Sequence, residues 1–157
     1  MSELTHLDSA GHARMVDVTA KAVTARSATA EGFVRCAPHV VALLRSGEIP
    51  KGDVLAVARI AGIAGAKRTP DLLPLAHVIG VHGAVVDLTV LDDGVALRAT
   101  VRTSDRTGVE MEALTAVAVA ALNVVDMVKG VDRSVEIASV RLVAKSGGRS
   151  GDWVRQG

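Results

Sequence analysis

Hydrophobic positions along the chain switch between two periods, and the switches predict its elements. V23-T-A-R-S-A-T-A30 alternates and predicts a strand, with a shorter strand before it over Met15 to Thr19. From Glu31 to Arg45 the apolar residues Phe33, Val34, Ala37, Val40, Val41 and Leu44 fall near helical spacing and predict an amphipathic helix. Ser46-Gly47 ends it as a C-cap pair. After the turn I49-P-K-G-D53, Val54 to Lys67 predicts a second helix. Its Ala58, Gly62 and Ala66 recur at every fourth position and leave one face nearly bare, suited to close packing against another helix. The run K67-R-T-P70 stops it, because the residue before a proline is pushed out of the α region. D71-L-L-P-L-A-H77 then reads as an apolar loop.

Val85 to Leu91 and Val95 to Thr103 alternate around D92-D-G94, a hairpin signal. T107-G-V-E110 fits a capping box, and a long helix follows to about Lys129-Gly130. Val135 to Val143 is the last predicted strand, and K145-S-G-G-R-S-G-D-W153 follows as either a frayed tail or a loop that wraps an anion. Strands and helices mix without a strict βαβ rhythm. The predicted class is α+β, an antiparallel sheet with helices packed on one face. Residues 1–157 read as a single domain, with 1–14 as a flexible N-terminal arm and 144–157 as a glycine-rich loop and tail.

Composition narrows the function classes. Hydrophobic residues make up 49% and charged residues 22% of the chain, which excludes a disordered protein. The apolar set is Val, Ala and Leu, with one Phe, one Trp and no Tyr, so aromatic platforms for stacking nucleic-acid bases are missing. A net charge of +1, with the cations dispersed, indicates no general polyanion surface. The lone Cys36 forms no internal disulfide, and no Cys/His spacing suggests a metal site. The longest apolar segment, Met111 to Val128, is interrupted by Glu112, Thr115, Asn123 and Asp126, so no membrane span is expected. The chain reads as cytoplasmic.

Polar residues that interrupt apolar patterns carry the chemistry. Glu110 and Glu112 open the long helix, where acidic groups favour the helix dipole. Asp126 and Lys129 lie three apart on one face of its last turn. They form either a surface ion pair or, with Asp126 partly desolvated in a lined cavity, an acid/base pair. Glu112 and Asp126 are 14 positions apart, hence about 40° apart around the axis and roughly 21 Å apart along it. One straight helix therefore cannot bring both to one small substrate. Either a long substrate spans them or a site is shared between subunits. His77 in its apolar loop reads as structural or functional, and Lys51, Lys67 and Arg68 read as solvated helix-flanking charges.

Taken together, the segments resemble the MoaC family of molybdenum-cofactor biosynthesis. The resemblance rests on L4-T-H, H12-A-R-M-V-D-V18, P50-K-G-D53, A58-R-I-A-G62, A66-K-R-T69, D71-L-L-P-L-A-H77, T107-G-V-E-M-E-A-L-T115, A120-A-L122, D126-M and A144-K-S-G-G-R-S-G-D152. These run in the family's order over nearly the whole chain, and the last two long strings are highly specific. The resemblance implies a ferredoxin-like α+β fold, a homo-hexamer built as a trimer of dimers, and active sites at a dimer interface. It implies a lyase that converts 3′,8-cyclo-7,8-dihydroguanosine 5′-triphosphate to cyclic pyranopterin monophosphate with release of pyrophosphate. No tightly bound cofactor and no protein-held metal are implied, and Mg²⁺ accompanying the triphosphate is left open. The small-molecule nucleotide is the implied partner, without nucleic acid or membrane.

Carried over motif by motif, the resemblance implies catalytic roles for Asp126, Lys129 and Lys51. It implies substrate-binding roles for His77, Glu110, Glu112, Lys145, Arg149 and Arg26. The chain departs from the family's common P-L-C-H-P, having P74-L-A-H-V78, and Pro70 and L122-N-V-V-D126 are also unusual. A second reading is therefore a weakly active or inactive paralogue that binds a nucleotide or pterin in mixed oligomers. The joint presence of Lys51, Asp126, Lys129 and Lys145 favours the enzyme.

Overall fold

The alternation that begins at Thr24 continues much further than Ala30. In the computed structural model, which describes residues 5–157, β1 (Thr24–Arg35) keeps every second residue, Ala28, Ala30, Gly32 and Val34, buried on one face. There follow α1 (Pro38–Ser46), α2 (Val54–Lys67), the short α3 (Thr69–Leu72), β2 (Gly83–Leu91), β3 (Gly94–Asp105), α4 (Glu110–Val128), β4 (Glu136–Ser146) and β5 (Trp153–Val154). All five strands join one antiparallel sheet in the order β2-β3-β1-β4-β5. Without β5, the sequence β1, helices, β2, β3, α4, β4 is the split βαββαβ arrangement of ferredoxin-like folds. The α+β class holds.

α4 lies across β1, β3 and β4, and α2 packs against α4 and β2. Small residues set their separation. A Cβ added at Gly62 of α2 would stand 2.9 Å from the Ala116 carbonyl oxygen and 3.2 Å from the Ala120 Cβ of α4. The predicted bare face of the second helix is thus the seam between the two helices, completed by Ala58 and Ala66, both buried. α4 is long and apolar enough to cross a membrane by length and composition. Its apolar side instead faces the sheet and α2, with Ala113, Ala116, Val117, Ala120, Ala121 and Val124 buried.

Several predicted boundaries move. Residues 31–35, read as helix, are strand, because Glu31, Phe33 and Arg35 alternate with buried neighbours while pairing with both β3 and β4. The helix starts only at Pro38, whose fixed φ and missing N–H suit a first helical turn. Met15 to Thr19 forms no strand. Thr69 to Leu72, read as helix end and loop, is the single turn α3 with Pro70 in its first positions. No capping box forms: the N-cap of α4 is Val109, and no side chain caps it. Within the predicted N-terminal arm, residues 1–4 lie outside the described residues, and Leu7 bridges Ala13 around a turn closed by Asp8.

The glycine-rich stretch is a loop. β5 pairs back onto β4 through Ala144↔Val154 and Lys145↔Trp153, and Arg155 N–H donates to the Val143 carbonyl at 2.8 Å. Residues 147–152 therefore connect two paired strands at one edge of the sheet.

Candidate functional site

The first group of predicted residues assembles at the C-terminal end of α4. Lys51 sits in the 49–52 turn, which leads into the N-cap Asp53, whose carboxylate accepts the Ala56 N–H at 3.0 Å. From there its Nζ reaches Asp126, donating to the main-chain oxygen at 3.0 Å and to Oδ2 at 3.2 Å. Lys129, one turn along α4, donates to Oδ1 at 2.6 Å. One carboxylate therefore holds two ammonium groups. Hydrogen bonds from Lys129 and then Lys51 keep the Asp126 carboxyl below the usual carboxylate range, so it stays ionised. The expectation of a partly desolvated aspartate in a cavity does not hold within one chain. The Asp126 side chain is 52% exposed, on the outer face of a last turn whose Val124, Met127 and Val128 are buried.

The second group lies at the opposite end of α4. Glu112 is only 3% exposed although it stands in the first turn. Burial pushes its carboxyl up to about 7, its own backbone N–H pulls it back, the neighbouring Glu110 adds to the rise, and His77 opposes it. Helix-dipole placement alone does not account for a glutamate this buried. The Glu110 carboxylate folds over Gly108, in the space a Cβ would fill. His77 donates from Nε2 to the Val16 carbonyl at 2.5 Å, which leaves Nδ1 as an acceptor in the neutral ring. The segment read as a first strand is thus the anchor for the histidine.

The third group is the glycine-rich loop. Lys145 Nζ contacts the Ser150 hydroxyl across it, and Gly147 N–H donates to Asp152 at 3.3 Å. Gly147 and Gly148 have φ of 83° and 77°, the left-handed region that glycine occupies without strain. The space of a Gly148 Cβ is taken by the Arg26 guanidinium. Arg26 in turn donates from Nε to the Asp105 carbonyl at 3.1 Å and from Nη2 to the Arg106 carbonyl at 3.2 Å. It ties β1, the end of β3 and the loop together. A cavity of about 450 Å³ opens beside it, lined by Lys21, Thr24, Arg26, Gly148 and Arg149 among others. Lys21 was not identifiable in the sequence, since it sits in an irregular polar stretch with no motif.

Strand register fixes where these groups stand. Thr24↔Asp105 and Ser27↔Ser146 place the glycine-rich loop at the end of the strands from which α4 starts. Arg35↔Glu136 marks the opposite end, where α4 ends. The His77–Glu110–Glu112 group and the loop cations therefore share one end of the molecule. The Lys51–Asp126–Lys129 group occupies the other, a rise of about 21 Å along α4 away. Among the described residues, no group of three or more His, Cys, Asp or Glu is arranged to hold a metal ion.

Residues 15–148 match the MoaC family. A cyclic pyranopterin monophosphate synthase of Streptomyces coelicolor is 66% identical over 152 residues, covering 97% of this chain and 89% of that protein. The synthase of that name from a Nocardioides species is 60% identical over 155 residues, covering 97% and 95%. That of Chloroflexus aurantiacus is 57% identical over 156 residues, covering 98% and 96%. With the family match over most of the chain and identities this high across nearly all of it, the chain belongs to the MoaC family.

Proposed function

We propose that the chain is a lyase of molybdenum cofactor biosynthesis. It converts 3′,8-cyclo-7,8-dihydroguanosine 5′-triphosphate to cyclic pyranopterin monophosphate and pyrophosphate. The observation that carries the reading is the carboxylate of Asp126 held between Lys51 and Lys129, in a chain 57–66% identical to proteins named for that product. The inactive-paralogue reading is not favoured, because relatives 57–66% identical over nearly the whole chain are named as the synthase and Lys51, Asp126, Lys129 and Lys145 are all present.

In this reading the two ammonium groups donate protons during opening of the guanine-derived five-membered ring and closure of the pterin. Asp126 orients them and takes protons back. Glu112, titrating near neutrality in its buried position, positions or protonates the purine-derived end, with His77 Nδ1 and Glu110 beside it. Lys145 and Arg149 hold the triphosphate, where charge builds on the departing pyrophosphate. Mg²⁺, where it takes part, arrives with the triphosphate.

A complete site takes the N-terminal group of one protomer and the C-terminal group of another, in a homo-hexamer arranged as a trimer of dimers. Support comes from the separation of the two groups and from an open apolar hollow beside His77. That hollow, about 630 Å³, is lined by Ala13, Leu73, Pro74, Leu75, Ala76 and Met111, and Val78 next to it is 86% exposed. A cytoplasmic location fits a biosynthetic reaction on a nucleotide. Incubation with the cyclised nucleotide, followed by fluorescence of the oxidised pterin and assay of released pyrophosphate, tests the function. Equal amounts of the two products are expected, and turnover that survives both Lys51→Ala and Asp126→Ala would overturn the residue roles.

A further inference from the structure

The sheet face turned away from α4 carries a cluster that the reaction above does not use. Alternation puts Ser27, Arg102 and Ser104 on the face opposite buried Ala28, Val101 and Thr103. The register then aligns Gly83, Arg102, Ser27 and Ser146 in one row across β2, β3, β1 and β4. Gly83 has no side chain, so the row is open above Arg102 from the β2 side. A cavity of about 380 Å³ lies there, its polar lining being Arg26, Ser27, His82, Arg102, Thr103, Ser104 and Ser146, without a carboxylate.

The hydrogen bonding leaves donors facing this cavity. Ser104 N–H donates to His82 Nδ1 at 3.2 Å, so the neutral ring carries its proton on Nε2, which has no partner among the described residues. The ring rests on Gly80, where an added Cβ would stand 3.0 Å from Cε1. The Thr103 hydroxyl is committed to the Gly80 carbonyl at 2.5 Å. Ser27 and Ser146 share one hydrogen bond of 2.7 Å, which consumes one of their two hydroxyl protons and leaves the other. The Arg102 guanidinium has no ion-pair partner among the described residues. A guanidinium, an imidazole N–H and a hydroxyl line one cavity whose lining holds no carboxylate, the adjacent Asp105 being turned to the Gly80 N–H at 3.4 Å; this is a donor set suited to a tetrahedral oxyanion.

We propose that this cavity binds a phosphate or diphosphate group. Arg26 lines both this cavity and the one beside Arg149, and Ser146 is the last residue of β4 before the glycine-rich loop, so the cavity adjoins the loop. The oxyanion chemistry stands on these side chains alone. That a nucleotide's own phosphates supply it rests on the reaction proposed above.

The test is calorimetric titration of the full chain with inorganic pyrophosphate, in a Lys145→Ala/Arg149→Ala background that removes the loop cations. Binding is expected to persist there, to weaken about tenfold when Arg102→Gln is added, and to weaken by a smaller factor with His82→Asn. Both residues are exposed, so unfolding temperatures should not change. An Arg102→Gln affinity within about twofold of the background would overturn the proposal, as would absence of binding in the background itself. Turnover by the otherwise native Arg102→Gln variant identifies the source. A raised KM at near-native kcat supports the site as the seat of the substrate's phosphates, and an unchanged KM supports it as a seat for free pyrophosphate. If native protein fails to turn over the nucleotide, the proposed reaction falls while the pyrophosphate result stands by itself.

Discussion

Lys51 Nζ lies 3.2 Å from Asp126 Oδ2 and 3.0 Å from the same residue's carbonyl oxygen, a contact between positions 75 apart in the chain. With Lys129 on the other carboxylate oxygen at 2.6 Å, one anion fixes two ammonium groups. Asp126→Asn keeps the shape and removes the charge that holds both ammonium groups. The expected result is a kcat lower by about 10²–10⁴ with KM much less affected. Thermal stability should change little, since exposed ion pairs contribute little to folding. Steady-state kinetics and a thermal melt check both halves.

Glu112 gives a pH signature. Its folded pKa is raised, so its contribution to stability is present below the ordinary carboxylate range and is lost as pH rises to about 7. In Glu112→Gln that loss does not occur. The variant and the native protein should melt together near pH 4, diverge between the carboxylate range and pH 7 with the variant more stable, and stay apart by a constant amount above it. The same substitution should lower activity and remove an ionisation near 7 from the pH–rate profile.

The α2–α4 seam makes a prediction about stability alone. Gly62→Ala improves helix propensity but drives a Cβ to 2.9 Å from the Ala116 carbonyl oxygen, and backbone on both sides must separate to accept it. Overpacking wins over propensity, for a net loss of about 1–3 kcal/mol in chemical denaturation. The same change at an exposed helical glycine would stabilise.

Gly148→Ala should act on binding. Its φ of 77° disfavours a side chain, and the Arg26 guanidinium already occupies the Cβ space. Arg26 would be pushed from the loop, and KM for the nucleotide should rise several-fold in steady-state assays, with the unfolding temperature lowered by a few degrees from the backbone strain.

Much of this arrangement is legible in the sequence, and the unread parts have physical causes. The Ala58/Gly62/Ala66 spacing and the D92-D-G94 turn are local signals, and both the helix seam and the β2–β3 hairpin form where they predict. Residues 31–35 misled because Phe33 and Val34 fit a helical stripe when read with Ala37 and Val40. Only pairing with β3 and β4, a tertiary effect, decides for strand. The string L-L-P-L-A-H77 and the pair Glu110/Glu112 are legible as candidate site residues, yet the burial of Glu112 depends on how the first turn of α4 meets its surroundings. Lys21 and the anchoring of His77 by the Val16 carbonyl arise from an irregular segment that no periodicity describes. The separation of Glu112 from Asp126 was readable from helix rise alone.

The central claim is that the active site takes its two halves from two protomers, and intersubunit complementation tests it most directly. Glu112→Gln and Asp126→Asn variants, each nearly inactive alone, are mixed, denatured together and refolded into mixed oligomers. Half of random dimers are then heterodimers carrying one site with both native halves, so about a quarter of native activity should return. Activity no greater than the sum of the two separate variants would contradict the account and place the whole site within a single chain.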